Sequence, residues 1–278
     1  MLGHKLWQHF SARFPDTYTT IRQNRVLYEK SGLFKSDKVI DSVDVNEFSE
    51  LTGVMKRIRP DFILNCIGVT KRRKEADTAI PAITLNALFP HKLVKWGMDN
   101  SAKVVNFSTD CVFDGEQGNY TEESPTNAKD LYGKTKALGE IQGKNALTLR
   151  SSFIGSELQA ATELLEWFLS QTGTVKGFKN AIYSGLTTIE LSRIIEKILV
   201  YYPAATGLYN ISSDPISKFD LLMLIRDKMH IKVDVIPDET IRCDRSLDST
   251  KFRNEFSYTP PTWVAMVEEL SKDVKKEG

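Results

Sequence analysis

Two stretches of this sequence hold residue types that could do chemistry together: Asn106-Phe-Ser-Thr-Asp-Cys-Val-Phe-Asp114 and Leu131-Tyr-Gly-Lys-Thr-Lys136. The first places a hydroxyl pair, Ser108 and Thr109, just past an apolar run. The second spaces Tyr132 and Lys136 by four residues, which puts both on one face of a helix. A phenol has a pKa of about 10, too high for easy proton exchange at neutral pH, and a nearby ammonium stabilises the phenolate and lowers it. A hydroxyl, a phenol and an ammonium converging on a carbonyl could hold the developing oxyanion and protonate it. Tyr-x-x-x-Lys alone is common on solvated helix faces, and Thr109 alone reads as a loop hydroxyl capping its own backbone. Together they favour catalysis.

The elements that must position these groups follow from the apolar patterning. Short apolar runs alternate with helical periodicity, the pattern of an α/β fold with a mostly parallel, doubly wound sheet. Leu2, Leu6, Trp7, Phe10 and Phe14 share one side of an opening helix, and 18–21 then reads as a strand. A run at 39–45 precedes a helix carrying Phe48, Leu51, Val54, Met55 and Ile58, which ends before Pro60. The 62–67 run is apolar enough for a central strand covered on both faces. A long helix over 74–98, broken near Pro81 and Pro90, leads to a strand at 103–107; a helix over 131–142 and a strand at 146–149 follow. Beyond 151 the pattern predicts helices at 162–170, 188–202, 219–229 and 263–270 and strands near 208–211 and 231–236. These form a smaller α/β lobe, so the expected division is 1–155 and 156–278, with some segments crossing between the two. Ligands of such sheets bind at the carboxyl ends of the strands and between domains.

Composition narrows the function classes. The chain has 278 residues, 41% of them apolar, enough for a sizeable core. Thirty-seven basic against thirty-six acidic residues leave a net charge of +1, so nothing points to nucleic acid. No window supplies the apolar length of a spanning helix and no secretory segment opens the chain, so a cytoplasmic location is expected. Cys66, Cys111 and Cys243 stand far apart and the four histidines are scattered, so three reduced thiols and no metal site are expected.

The text NFSTDCVFDG…YTEESPTNAKDLYGKTKALGE, with LNCIG upstream and LTLRSSFIG downstream, resembles the extended short-chain dehydrogenases/reductases, and within them the dTDP-4-dehydrorhamnose reductase group. The resemblance covers roughly the first 160 residues and continues more loosely through Gly207-Leu-Tyr-Asn210 and Ser246-Leu-Asp-Ser-Thr-Lys-Phe252. It implies a Rossmann-like fold and NADPH- or NADH-dependent reduction of the 4-keto group of a nucleotide-linked 6-deoxy sugar. Tyr132 matches the proton donor, Lys136 the residue on the nicotinamide ribose that tunes the phenol, and Thr109 the hydroxyl on the substrate carbonyl. Asp44 and Val45 match the adenine position, and Asn65, Cys66, Ile67 and Gly68 the loop beside the ribose and pyrophosphate. Arg22 falls where the ribose 2′ position is read, and an arginine there favours NADP(H) over NAD(H). Thr70, Ser108, Asp110, Phe153, Thr187, Arg242 and Arg245 are the candidate substrate contacts, the arginines as charge-assisted donors to a nucleotide diphosphate. Thr187 also reads as a helix N-cap. Lys71-Arg-Arg-Lys74 reads as a solvated loop or a phosphate contact.

The sequence departs from the family at its start. Gly3 matches the last glycine of the phosphate-binding turn, while the family's first strand and first two glycines have no counterpart here; either a longer natural chain carries them, which is the expectation, or this is a variant that has lost dinucleotide affinity. Two further readings stay open: a non-catalytic regulatory subunit of the methionine adenosyltransferase beta type, and a nucleotide-sugar epimerase. A homodimer is compatible with any of them.

Overall fold

The computed structural model describes residues 1–71, 78–159 and 162–277. Helix α1 (Leu2–Arg13) buries Leu2, Leu6 and Phe10 in the main core. The 18–21 and 39–45 runs shrink to a parallel pair of two-residue strands, β1 (Thr19–Thr20) and β2 (Val39–Ile40). Strand β2 stops because Asp41 turns to Arg25, which also donates to the Val39 carbonyl, and Ser42 adopts a left-handed φ of 59°. Helix α2 (Phe48–Ile58) ends as its spacing predicts, at a left-handed Arg59 ahead of Pro60.

Strand β3 (Phe62–Asn65) opens a four-stranded parallel sheet of order β3-β4-β5-β9, with β4 (Lys103–Ser108), β5 (Ala146–Arg150) and β9 (Gly207–Asn210). The expectation of a central strand at 62–67 is corrected: among the described residues β3 pairs with β4 alone. Phe62, Ile63 and Leu64 stay half-buried, whereas Val104, Val105, Leu147 and Leu149 in the middle of the sheet are sealed. The strand β9 comes from the second half of the chain and completes this sheet beside β5.

Between β3 and β4 the chain is helical from Ala79 to Asn100 as α3 (Ala79–Ala82), a π-helical turn (Ile83–Leu88) and α4 (Phe89–Asn100). Neither proline breaks it. Pro81 lies in the first turn, where its missing N–H costs nothing. Pro90 follows the π turn, whose wider winding sends the Phe89 N–H back to Thr84 and absorbs the lost donor. Helix α5 (Leu131–Leu138) joins β4 to β5 and is shorter than the 131–142 expected, ending at Gly139.

The second half contains β6 (Phe153–Ile154), α6 (Leu164–Leu169), β7 (Gly173–Tyr183), β8 (Leu186–Thr187), α7 (Thr188–Tyr201), β10 (Ile216–Ser217), α8 (Lys218–Met229), β11 (Val233–Asp244), α9 (Thr250–Glu255) and α10 (Trp263–Glu277). Strands β6 and β8 pair in parallel; β10, β7 and β11 form a mixed sheet under α8. The eleven-residue β7 has no clear apolar alternation because its inward positions are Val175, Gly177 and Ala181. Gly177 is required there, since a Cβ would lie 2.8 Å from the Phe219 Cα of α8. Among the described residues no helix is long and apolar enough to cross a membrane.

Candidate active site

The site is built where β4 ends. Thr109 leaves the strand extended, and its Oγ1 accepts the Cys111 N–H at 3.2 Å, closing a short 3₁₀ turn over Asp110–Val112. Helix α5 packs on that turn with almost no clearance. At Gly133 a Cβ would lie 2.2 Å from the Cys111 carbonyl oxygen and 2.5 Å from Ala128 Cβ, so only glycine lets the helix approach. Asp130 starts α5 by accepting the Gly133 N–H at 2.8 Å, and Lys71 pairs with the same carboxylate at 2.5 Å. Arg72, Arg73 and Lys74 lie outside the described residues.

This close approach brings Tyr132 onto the turn. The Thr109 hydroxyl is close enough to its phenol to act on it, so the two proposed oxyanion partners are neighbours. Thr109 therefore caps its own loop beside the phenol. Lys136, one turn further along α5, donates to the Phe107 carbonyl at 2.6 Å. Burial pushes the Tyr132 phenol well above its ordinary value, with Cys111 adding to the shift and the nearby Thr109 hydroxyl opposing it. Burial lowers Lys136 to about 8, and Glu140 partly restores it. The sequence reasoning expected the ammonium to lower the phenol; in this site burial dominates and the phenol stays protonated at neutral pH.

The rest of the scaffold ties strand ends to α5. Asn65 donates to Asn106 Oδ1 at 2.8 Å, and Asn106 donates to the Gly139 carbonyl at 3.0 Å. Asn65 Oδ1 also accepts the Ile67 N–H, shaping the 65–68 loop. Asn86, in the π turn, accepts the Val69 N–H at 2.8 Å and donates to the Val69 carbonyl at 3.1 Å, pinning the loop that carries Gly68. Ser108 spends its hydroxyl on Glu140 at 2.7 Å, and Glu140 takes a two-point bond from Arg150 at 2.6 and 2.7 Å. Breaking such a buried pair would cost about 3–5 kcal/mol. Sequence reasoning missed Asn86, Glu140 and Arg150; a lone asparagine inside the apolar ITLNALF helix was the available signal for the first.

The other sequence-predicted residues fall in three places. Cys66 and Gly68 are exposed and Ile67 half-buried at the carboxyl end of β3, and α1 begins beside them: a Cβ on Gly3 would meet Cys66 Cβ at 3.3 Å. Arg22 is exposed just past β1, and Asp44 holds a turn by accepting the Asn46 N–H at 3.0 Å, while Val45 packs on the second core cluster. Arg242 lines a cavity of about 310 Å³ with Gly115, Gln117, Asn180 and Asp244, close to the 111–114 loop. Arg245 instead braces that loop, donating to the Phe113 and Asp114 carbonyls at 2.8 and 3.3 Å. Asp110 is buried beside Thr109, whose hydroxyl donates to it at 3.2 Å. Thr70 and Phe153 are half-buried, and Thr187 is sealed as the N-cap of α7.

Comparisons with known proteins give the family and the fold. The family described as RmlD substrate binding domain matches residues 1–276. The chain is 24% identical over 252 residues to a dTDP-4-dehydrorhamnose reductase of Aggregatibacter actinomycetemcomitans, covering 80% of this chain and 84% of the relative. A shorter match, 26% over 125 residues, covers 44% of this chain and 37% of the methionine adenosyltransferase 2 subunit beta of Xenopus tropicalis. The fold superposes on a dTDP-4-dehydrorhamnose reductase from Bacillus anthracis, solved in complex with NADP, with a TM-score of 0.73 at 20% identity, over 92% of this chain and 99% of the other.

Proposed function

This chain belongs to the RmlD substrate-binding-domain family, in the dTDP-4-dehydrorhamnose reductase group, and we propose that it reduces the 4-keto group of a nucleotide-linked 6-deoxy sugar with NADPH. One observation carries the reading: at the carboxyl end of β4 the Thr109 hydroxyl lies beside the Tyr132 phenol, with the half-buried Lys136 one helical turn along α5.

The residues present suit a nicotinamide dinucleotide. The first turn of α1 has no side-chain cap bond and no acidic residue, so its N–H groups suit a pyrophosphate. Gly3 and Gly68 keep the backbone bare on either side: a Cβ on Gly68 would lie 3.0 Å from Asn86 Oδ1. Arg22, exposed past β1, suits a ribose 2′-phosphate, and Asp44 the adenine amino group. When bound, the reduced cofactor supplies a hydride to the carbonyl carbon.

The chain's own residues do the rest. Thr109 holds the carbonyl oxygen as its charge grows. Tyr132, kept protonated by burial, gives it the proton and is left as a phenolate. Lys136 holds positive charge one turn away, which stabilises that phenolate. Residues 1–155 would hold the cofactor and 156–278 the nucleotide sugar, with Arg242 in its cavity as a diphosphate donor and Arg245 shaping the loop between.

The test is direct. The purified chain is mixed with a dTDP-4-keto-6-deoxy sugar and NADPH or NADH, cofactor oxidation is followed by absorbance, and the C4 alcohol is identified by NMR. Turnover faster with NADPH is expected; no oxidation of either cofactor overturns the reading, and equal rates remove the role of Arg22. The methionine adenosyltransferase match favours a non-catalytic subunit, which would bind cofactor without oxidising it; that reading leaves the Thr109–Tyr132 contact without a purpose.

A further inference from the structure

A second phenol lies near the first. Tyr183 ends β7, in register with Ile216 of β10, its ring 5.5 Å from that of Trp263. Its hydroxyl oxygen is buried and has no hydrogen-bond partner among the described residues. Leaving such a group unpaired costs about 1–3 kcal/mol. The neighbourhood is shaped around it: a Cβ on Gly185 would fall 2.2 Å from the Tyr183 hydroxyl and 2.4 Å from the Ser152 carbonyl oxygen. Ser152 lies just past Arg150, which pairs in register with Ser108 at the end of β4. Tyr183 is thus brought to the same end of the sheet as the Thr109–Tyr132 pair. The two phenols also share their charged surroundings, since Asp110, Glu163 and Cys111 act on both.

Core packing accounts for the ring, which lies on the main core, but not for the oxygen. A phenylalanine would fill the same space without an unmet donor. Resting on the function proposed above, we propose that Tyr183 determines specificity: its hydroxyl is held for a polar substituent of the sugar ring other than the carbonyl served by Tyr132 and Thr109.

The test is Tyr183→Phe, read in three ways. Thermal unfolding of the free protein is expected at the parent's temperature or above it, because an unmet polar group is removed. Calorimetric affinity for the intact nucleotide sugar is expected to fall about tenfold, equivalent to about 1.4 kcal/mol, with KM rising in step. Affinity for the nucleoside diphosphate alone, and for NADPH, is expected to be unchanged. Equal affinity of parent and variant for the nucleotide sugar overturns the proposal, as does an equal loss for the nucleoside diphosphate. A lowered melting temperature with unchanged affinity also overturns it, by showing that the hydroxyl is structural. A parent that binds the nucleotide sugar without turning it over defeats the proposed reaction, yet the binding comparison still judges Tyr183.

Discussion

Tyr132 on α5 and Tyr183 at the end of β7 are chemically the same group in neighbouring, similarly charged surroundings, and burial raises both phenols. They differ in what holds the oxygen. Tyr132 has the Thr109 hydroxyl beside it and an ammonium one helical turn away. The Tyr183 oxygen has no partner at all among the described residues. The first arrangement suits a group that must give up a proton at a fixed place, because hydroxyl and ammonium both favour the phenolate it leaves. The second suits a group that only has to be met by something that enters. Each phenol stands next to a glycine that something else needs bare: Gly133 for the approach of α5, Gly185 for the phenol itself.

The comparison breaks most visibly at Tyr132. Tyr132→Phe is expected to lower kcat about a thousandfold, within the range for loss of a positioned proton donor, with nucleotide-sugar affinity nearly unchanged; steady-state kinetics beside calorimetry check it. Equal rates would remove Tyr132 from the chemistry. Gly133→Ala keeps every reacting group but pushes α5 off the Cys111 carbonyl, and misplacement on the ångström scale costs about a hundredfold. The loss is expected in kcat, with the far-ultraviolet circular dichroism retained. Gly185→Ala should act on the other phenol: about a tenfold rise in KM for the nucleotide sugar, with kcat within a factor of about two. A kcat loss at Gly185 as large as at Gly133 would mean that the two tyrosines are not doing separate jobs.

How much of this the sequence could show depends on how local each feature is. The Tyr132–Lys136 spacing and the strands over 103–108 and 146–150 are set by residues close along the chain, and their periodicity is plain. Thr109 was legible both as a cap and as a candidate site hydroxyl, and the structure shows the cap, through the Cys111 N–H it accepts. Strand β7 was not legible, because tertiary packing against α8 demands small inward residues and so erases the alternation that marks a strand. The fate of Ser108 was hidden for a similar reason: its hydroxyl goes to Glu140, which is held by Arg150, a set assembled only when β4, β5 and the end of α5 meet. Tyr183 carries no mark in the sequence, since an unmet hydroxyl is a property of its three-dimensional surroundings alone. The central strand expected at 62–67 was inferred from apolar content, which does not say how many neighbours a strand has.

Lys136 gives the smallest effect and the sharpest separation of the two phenols. Burial lowers it to about 8 from an ordinary 10.5, so at neutral pH it is mostly charged and by pH 9 mostly neutral. Loss of that charge removes support for the phenolate of Tyr132, and kcat is expected to fall by up to about tenfold between pH 7 and 9. Tyr183 has no such neighbour, and its raised phenol stays protonated across this window, so nucleotide-sugar affinity should stay flat. Unfolding cannot imitate this pattern, because the sign is opposite. Between about 8 and 10.5 the unfolded chain keeps a proton on Lys136 that the folded chain has released, so this group adds to stability as pH rises. Activity falls while the lysine's contribution to stability grows. Lys136→Arg, always charged, should carry the fall in kcat to higher pH; a fall that stays near pH 8 in that variant would assign the titration to some other group.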